Sequence, residues 1–142
     1  HPERLISEPK CLSRPLYGFE NTEHTINNEG PYAFYYNNKI YLAYSGGDAR
    51  GYLYAIGMLT ANDGDDLCDL SVWEKAKTPI ASFATIPGEY GPGHNSFFWD
   101  RDQNLWIAYH AVTSFEEKIV SSGMRRVYFE QDKTPRFDVI VE

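Results

Sequence analysis

The sequence predicts an all-β chain: short aromatic and β-branched runs recur between Asn, Asp and Gly, helical periodicity is almost absent, and one hairpin pattern occurs twice. The first hairpin is read as a strand over residues 32–36, a tight polar turn at Asn37-Asn38-Lys39, and a strand over residues 40–44. A further strand is expected over residues 52–59, then an acidic loop and a short strand or turn within residues 64–82. The second hairpin joins residues 96–99 to residues 105–109 through a longer turn, Asp100-Arg101-Asp102-Gln103-Asn104, and a further strand is expected over residues 125–129.

The two hairpins overlay. Gly30 matches Gly93 and Phe34 matches Phe97 at an offset of 63, while Tyr44 matches Tyr109 at an offset of 65, the turn having grown by two. A repeat of about 64 residues suits a β-propeller blade with long connections, with a β-sandwich as the alternative. The chain of 142 residues holds only about 2.2 such repeats, whereas closed propellers need about four blades or more. The repeat therefore predicts an incomplete ring. The start at His1, without Met, is expected to mark a processed or truncated product of something longer.

Composition narrows the partners. Apolar residues make up 42% and charged residues 23%, which excludes a disordered or fibrous chain. No apolar run approaches the roughly 18 residues of a membrane helix, so no membrane is expected. The net charge of −7, with Lys and Arg scattered singly, lacks the basic stripe of a nucleic-acid binder and suits a neutral or cationic ligand. Aromatics are 15% of the chain, led by 11 Tyr, which permits a sugar-stacking site as well as ordinary sheet packing. Cys11 and Cys68, 57 residues apart, form neither a disulfide framework nor a metal-ligand spacing.

Two polar segments precede the hairpins at equivalent repeat positions: Asn27-Asn28-Glu29-Gly30-Pro31, and residues 89–96, which run Glu-Tyr-Gly-Pro-Gly-His-Asn-Ser. Inner strands of propeller blades line the central axis, so Glu29 and His94 are expected to face a common cavity, presented from turns that Gly and Pro hold rigid.

At these residues the sequence resembles glycoside hydrolase family 43. The resemblance is carried by Asn28-Glu29-Gly30-Pro31, Tyr44-Ser45-Gly46-Gly47, residues 54–61, Tyr90-Gly91-Pro92-Gly93-His94-Asn95-Ser96-Phe97 and Ile107-Ala108-Tyr109-His110-Ala111, and it spans about Ser13 to Phe137. It implies a five-bladed β-propeller of which this chain, residues 1–142, supplies roughly the last two to three blades. It also implies hydrolysis of arabinose- or xylose-containing saccharides by an inverting mechanism, α-L-arabinofuranosides being favoured over β-xylosides. Glu29 is then the general acid, which must be protonated near working pH; partial burial or a neighbouring carboxylate achieves this. The family's two Asp residues lie upstream of the Glu-Gly-Pro motif, and the 28 residues before Glu29 contain no Asp. The chain is expected to carry the acid but not the base, and to be inactive alone. Glu20 and Glu23 are rejected as substitutes.

The resemblance further implies that His94 organises the pocket floor, through a hydrated calcium ion on the axis or as a structural His; no cofactor is required. It places Arg125 or Arg126 towards substrate, only one of which can face it, and Arg126 is favoured. Tyr54 and Phe34 are assigned to a sugar-stacking wall or to the core. The missing blades are expected as another chain or replaced by self-association, and a secreted or periplasmic location is favoured over a cytoplasmic one. The alternative to a hydrolase fragment is a non-catalytic carbohydrate-binding or structural propeller piece.

Overall fold

A computed structural model describes residues 3–4, 7–114, 116 and 119–139. In chain order the strands are β1 Asn21–Thr22, β2 Thr25–Ile26, β3 Asn28–Tyr36, β4 Lys39–Gly46, β5 Ala55–Asn62, β6 Glu74–Lys75, β7 Tyr90–Trp99, β8 Leu105–Ser114, β9 Ile119–Arg126, β10 Tyr128–Phe129 and β11 Pro135–Arg136. Helix is limited to single turns at Gly18–Glu20 and Leu70–Val72. All-β is the fold class.

Two antiparallel meanders carry the structure. One is the four-stranded sheet β3-β4-β5-β6 and the other the three-stranded sheet β7-β8-β9. Both hairpins stand where the sequence places them. Asn37 and Asn38 have φ of 50° and 61°, the left-handed pair that a two-residue type I′ turn requires, and Lys39 already pairs with Tyr36. In the longer turn Asp100 does the folding: its carboxylate accepts from the amides of Asp102 and Asn104, from Asn104 Nδ2 and, at 2.7 Å, from Trp106 Nε1. These donors, Trp106 foremost, bring its pKa down to about 2.

The third strands differ from expectation. In the first sheet pairing begins at Ala55, because the Tyr52 carbonyl is taken by the amide of Gly91 in the other sheet. In the second, β9 occupies residues 119–126 rather than 125–129. Val120 to Gly123 pair along β8 despite their small polar side chains at Ser121 and Ser122, since a waiting strand edge overrides local propensity. The acidic loop leads, as expected, to a short strand, β6.

The sheets face one another across one core. Phe34 lies 4.5 Å from Phe97 and stacks on Tyr41 at 4.9 Å, with Ile56 and Met58 from the first sheet and Leu105, Ile107 and Tyr109 from the second around them.

Each sheet also carries a carboxylate–tyrosine–cation triad. In the first, the fully buried Glu20 accepts from Tyr44 Oη at 2.8 Å, from the Leu16 and Tyr17 amides and from Asn28 Nδ2, and pairs with Lys75 Nζ at 2.5 Å. In the second, Tyr109 Oη donates to Glu89 at 2.6 Å, and Arg125 bonds both Glu89 and Tyr109 at 2.8 Å. Tyr44 and Tyr109 are the residues that match in the sequence repeat. The hydroxyl of each of these strands is thus tied to a carboxylate that precedes the sheet and a cation from its outer strand.

Candidate functional site

Both segments singled out in the sequence are β-bulges. The β3–β4 register shifts between Glu29 and Tyr32, and the β7–β8 register shifts twice between Tyr90 and Ser96. A bulge re-aims the side chains of its strand. Here it does so at Glu29 and at His94, a non-glycine residue held at a left-handed φ of 51°. Strain of that kind, of order 1–3 kcal/mol, persists where the surroundings over-determine it. The His94 amide donates to Ser45 Oγ of β4 at 2.7 Å, and its ring lies against Gly30, where even a Cβ would sit 3.4 Å from Nδ1. The sheets therefore bring Glu29 and His94 to one place.

A connected group of side chains backs the two. Tyr54 Oη donates to Glu29 Oε1 at 2.7 Å, and the Ser45 side chain hydrogen-bonds Tyr54 in turn. The Tyr54 ring is stacked with His110, centroids 5.7 Å apart and planes within 8°, and His110 is stacked with His94 at 6.3 Å. Burial, reinforced by the charge of Glu29 against only a partial offset from Ser45, pushes the Tyr54 hydroxyl well above the ordinary tyrosine range, so it stays protonated as a donor. Burial, then the His94 imidazole, lowers the pKa of His110 and keeps it neutral, although its hydrogen bond to the Ala49 backbone and the nearby Glu29 oppose this. Glu29 itself is half-buried and His94 is exposed. The arrangement is a half-buried carboxyl group bonded by a phenol, with two stacked imidazoles running from that phenol to the residue next to the carboxyl group, Gly30.

The remaining sequence candidates lie elsewhere. Tyr54 is fully buried and Phe34 nearly so, so of the two roles weighed for them the interior one matches their positions and neither ring is open to a sugar. Arg125 and Arg126 do face opposite sides. Arg125 points inward to Glu89, while Arg126 is exposed, with its guanidinium on Asn104 Oδ1 and over the Tyr128 ring at 5.1 Å. Arg126 pairs with Trp106, four residues along β8 from His110, about 13 Å from the Glu29 cluster. The structure does not bring it there. Sequence reasoning missed Ser45 and His110 as site residues; the signal for His110 is its register opposite Gly93 of the second bulge.

A calcium ion takes about six to eight oxygen ligands. The cluster offers imidazole nitrogens and one carboxylate already bonded to Tyr54, and among the described residues no group of three or more His, Cys, Asp or Glu is placed to hold a metal. These residues do not fit calcium by direct ligation.

The chain is 29% identical, over 99% of its length and 31% of the relative's, to an extracellular exo-α-(1→5)-L-arabinofuranosidase of Streptomyces avermitilis. It is 39% identical, over 78% of its length and 34% of the relative's, to the enzyme of the same name from Streptomyces chartreusis. It superposes on the crystal structure of an α-L-arabinofuranosidase from Lactobacillus brevis with a TM-score of 0.84 at 30% identity, covering 96% of this chain and 44% of that one. The chain thus spans about a third of the length of these curated relatives. Residues 4–135 match the glycosyl hydrolases family 43, and with the Glu29 and His94 bulges in place on two facing sheets, the chain belongs to that family.

Proposed function

We propose that this chain supplies the general acid and part of the pocket floor of an inverting α-L-arabinofuranosidase built on a five-bladed propeller, of which the two sheets are two blades. The observation that carries the reading is Glu29: a half-buried carboxyl on a bulge, held at one oxygen by Tyr54, with the His94 ring against the adjoining Gly30. Its role is to protonate the departing glycosidic oxygen while a base on the opposite face of the sugar activates water. Inverting enzymes separate the two carboxyl groups by about 6.5–9.5 Å. The family resemblance puts the base upstream of the Glu-Gly-Pro motif; no Asp precedes Glu29, and Glu20 is committed to Lys75, Tyr44 and backbone amides, which supports a base outside this chain. The names of the Streptomyces relatives support an arabinofuranoside substrate and a secreted location for the whole protein. Among the described residues no helix is long and apolar enough to cross a membrane.

The test is to join the chain to the N-terminal portion of its parent and assay an aryl α-L-arabinofuranoside. Turnover is expected, reduced about 10²–10⁴-fold by Glu29→Gln. Failure of the full-length protein to turn over any pentoside would leave the non-catalytic carbohydrate-binding reading in its place. The 142-residue chain alone is expected to show no hydrolysis; measurable turnover by it would refute the placement of the base outside it.

A further inference from the structure

We propose that Tyr54 is the positioning residue of Glu29, fixing which carboxyl oxygen carries the catalytic proton, and that Gly93 is glycine in order to admit its ring. The proposal rests on the reading of Glu29 as the general acid. Tyr54 Oη donates to Oε1 at 2.7 Å, so Oε1 is an acceptor and the acid proton must reside on Oε2. Only from Oε2 is the proton free to pass to a leaving-group oxygen. In that step the O–H bond of Oε2 breaks as the glycosidic C–O bond breaks, the oxygen leaves as a neutral alcohol, and Glu29 becomes a carboxylate whose charge the Tyr54 hydroxyl stabilises at Oε1.

The hydroxyl can do this only if the ring cannot turn away, and β7 and β8 of the second sheet lock it. Tyr54 has no exposed surface. One face stacks on His110, which is itself anchored to the Ala49 backbone. One edge fills the space above Gly93: a Cβ there would stand 2.0 Å from Tyr54 Cε1 and 2.4 Å from Cδ1. Gly93 has no positive φ, so its backbone conformation does not require glycine; the tyrosine ring from the other sheet does. The Gly91-Pro92-Gly93 segment of one blade thereby serves the acid carried by the neighbouring blade.

The experiment compares leaving groups in the full-length enzyme. A dinitrophenyl arabinofuranoside departs without protonation, whereas a methyl or oligosaccharide arabinofuranoside needs the acid. Tyr54→Phe keeps the ring and removes the hydroxyl. It is expected to lower kcat on the poor leaving group about 10- to 100-fold, the range of a lost hydrogen bond to a charged group, and to change the dinitrophenyl rate by less than about threefold. Gly93→Ala, which displaces the ring and leaves the hydroxyl intact, is expected to give the same leaving-group signature. Equal losses on both substrates, or no loss on either, would overturn the proposal. Glu29→Gln is the reference: a leaving-group effect for Glu29→Gln without one for Tyr54→Phe removes the positioning role alone, while its absence in both removes the acid assignment itself.

Discussion

Glu20 shows how a single charged residue can be read from its partners. Burial is the largest influence on its carboxyl and pushes its pKa up. Lys75, the Tyr17 and Leu16 amides and Asn28 together outweigh it, so the group lies below its ordinary value of 4.5. A carboxylate whose pKa is lower in the folded than in the unfolded state stabilises the fold above the unfolded value, and that contribution is lost as pH falls through the folded value. Urea unfolding midpoints of the chain are therefore expected to drop as pH falls below about 4.5, and Glu20→Gln to flatten that dependence. Lys75→Met, which strands a buried charge, is expected to cost about 3–5 kcal/mol, and adding Glu20→Leu to recover much of it. Equal midpoints for Lys75→Met and wild type would show that the pair is not desolvated as its geometry indicates.

At the scale of elements, the strands that could be read in the sequence are those defined by local chemistry. Asn37-Asn38 names its own turn, since Asn tolerates left-handed φ and a I′ turn needs two such residues. Replacing both with Ala is expected to cost about 1–2 kcal/mol each, whereas Asn38→Gly should be neutral or slightly stabilising; thermal unfolding would measure both. The element that escaped, β9, opens on Ile119-Val120 but runs on through Ser121, Ser122 and Gly123, which are poor strand formers, and pairs there because β8 offers an edge. The two bulges were visible as Gly- and Pro-rich interruptions, but their function as devices that turn Glu29 and His94 towards each other depends on cross-strand register.

At the scale of the whole molecule, the outer face of the second sheet is left uncovered. On the outer side of the second sheet Val120 is 63% and Met124 66% exposed, and Phe98, itself 42% exposed, lies 6.5 Å from the Trp106 ring. Apolar strand faces of this kind are association sites when left bare. Light scattering of the isolated chain is expected to report species above its 16.3 kDa monomer mass, or capture of the N-terminal blades when these are added as a second chain. A monodisperse monomer indifferent to those blades would contradict the open-ring reading.

The all-β class, both hairpins, the internal repeat and the identity of Glu29 and His94 are written in local patterns, because period-2 alternation, turn residues and Gly-Pro punctuation act over a few neighbours. The remaining features required the sheets to be stacked. Of the two places weighed for Tyr54 the interior one holds, with its hydroxyl on Glu29, while Arg126 lies at the far end of its strand and Ser45 and His110 join the cluster. Each of those outcomes turns on which face of which strand a side chain occupies, and although Gly and Pro mark where a bulge lies, only the cross-strand register decides which face it turns a side chain to.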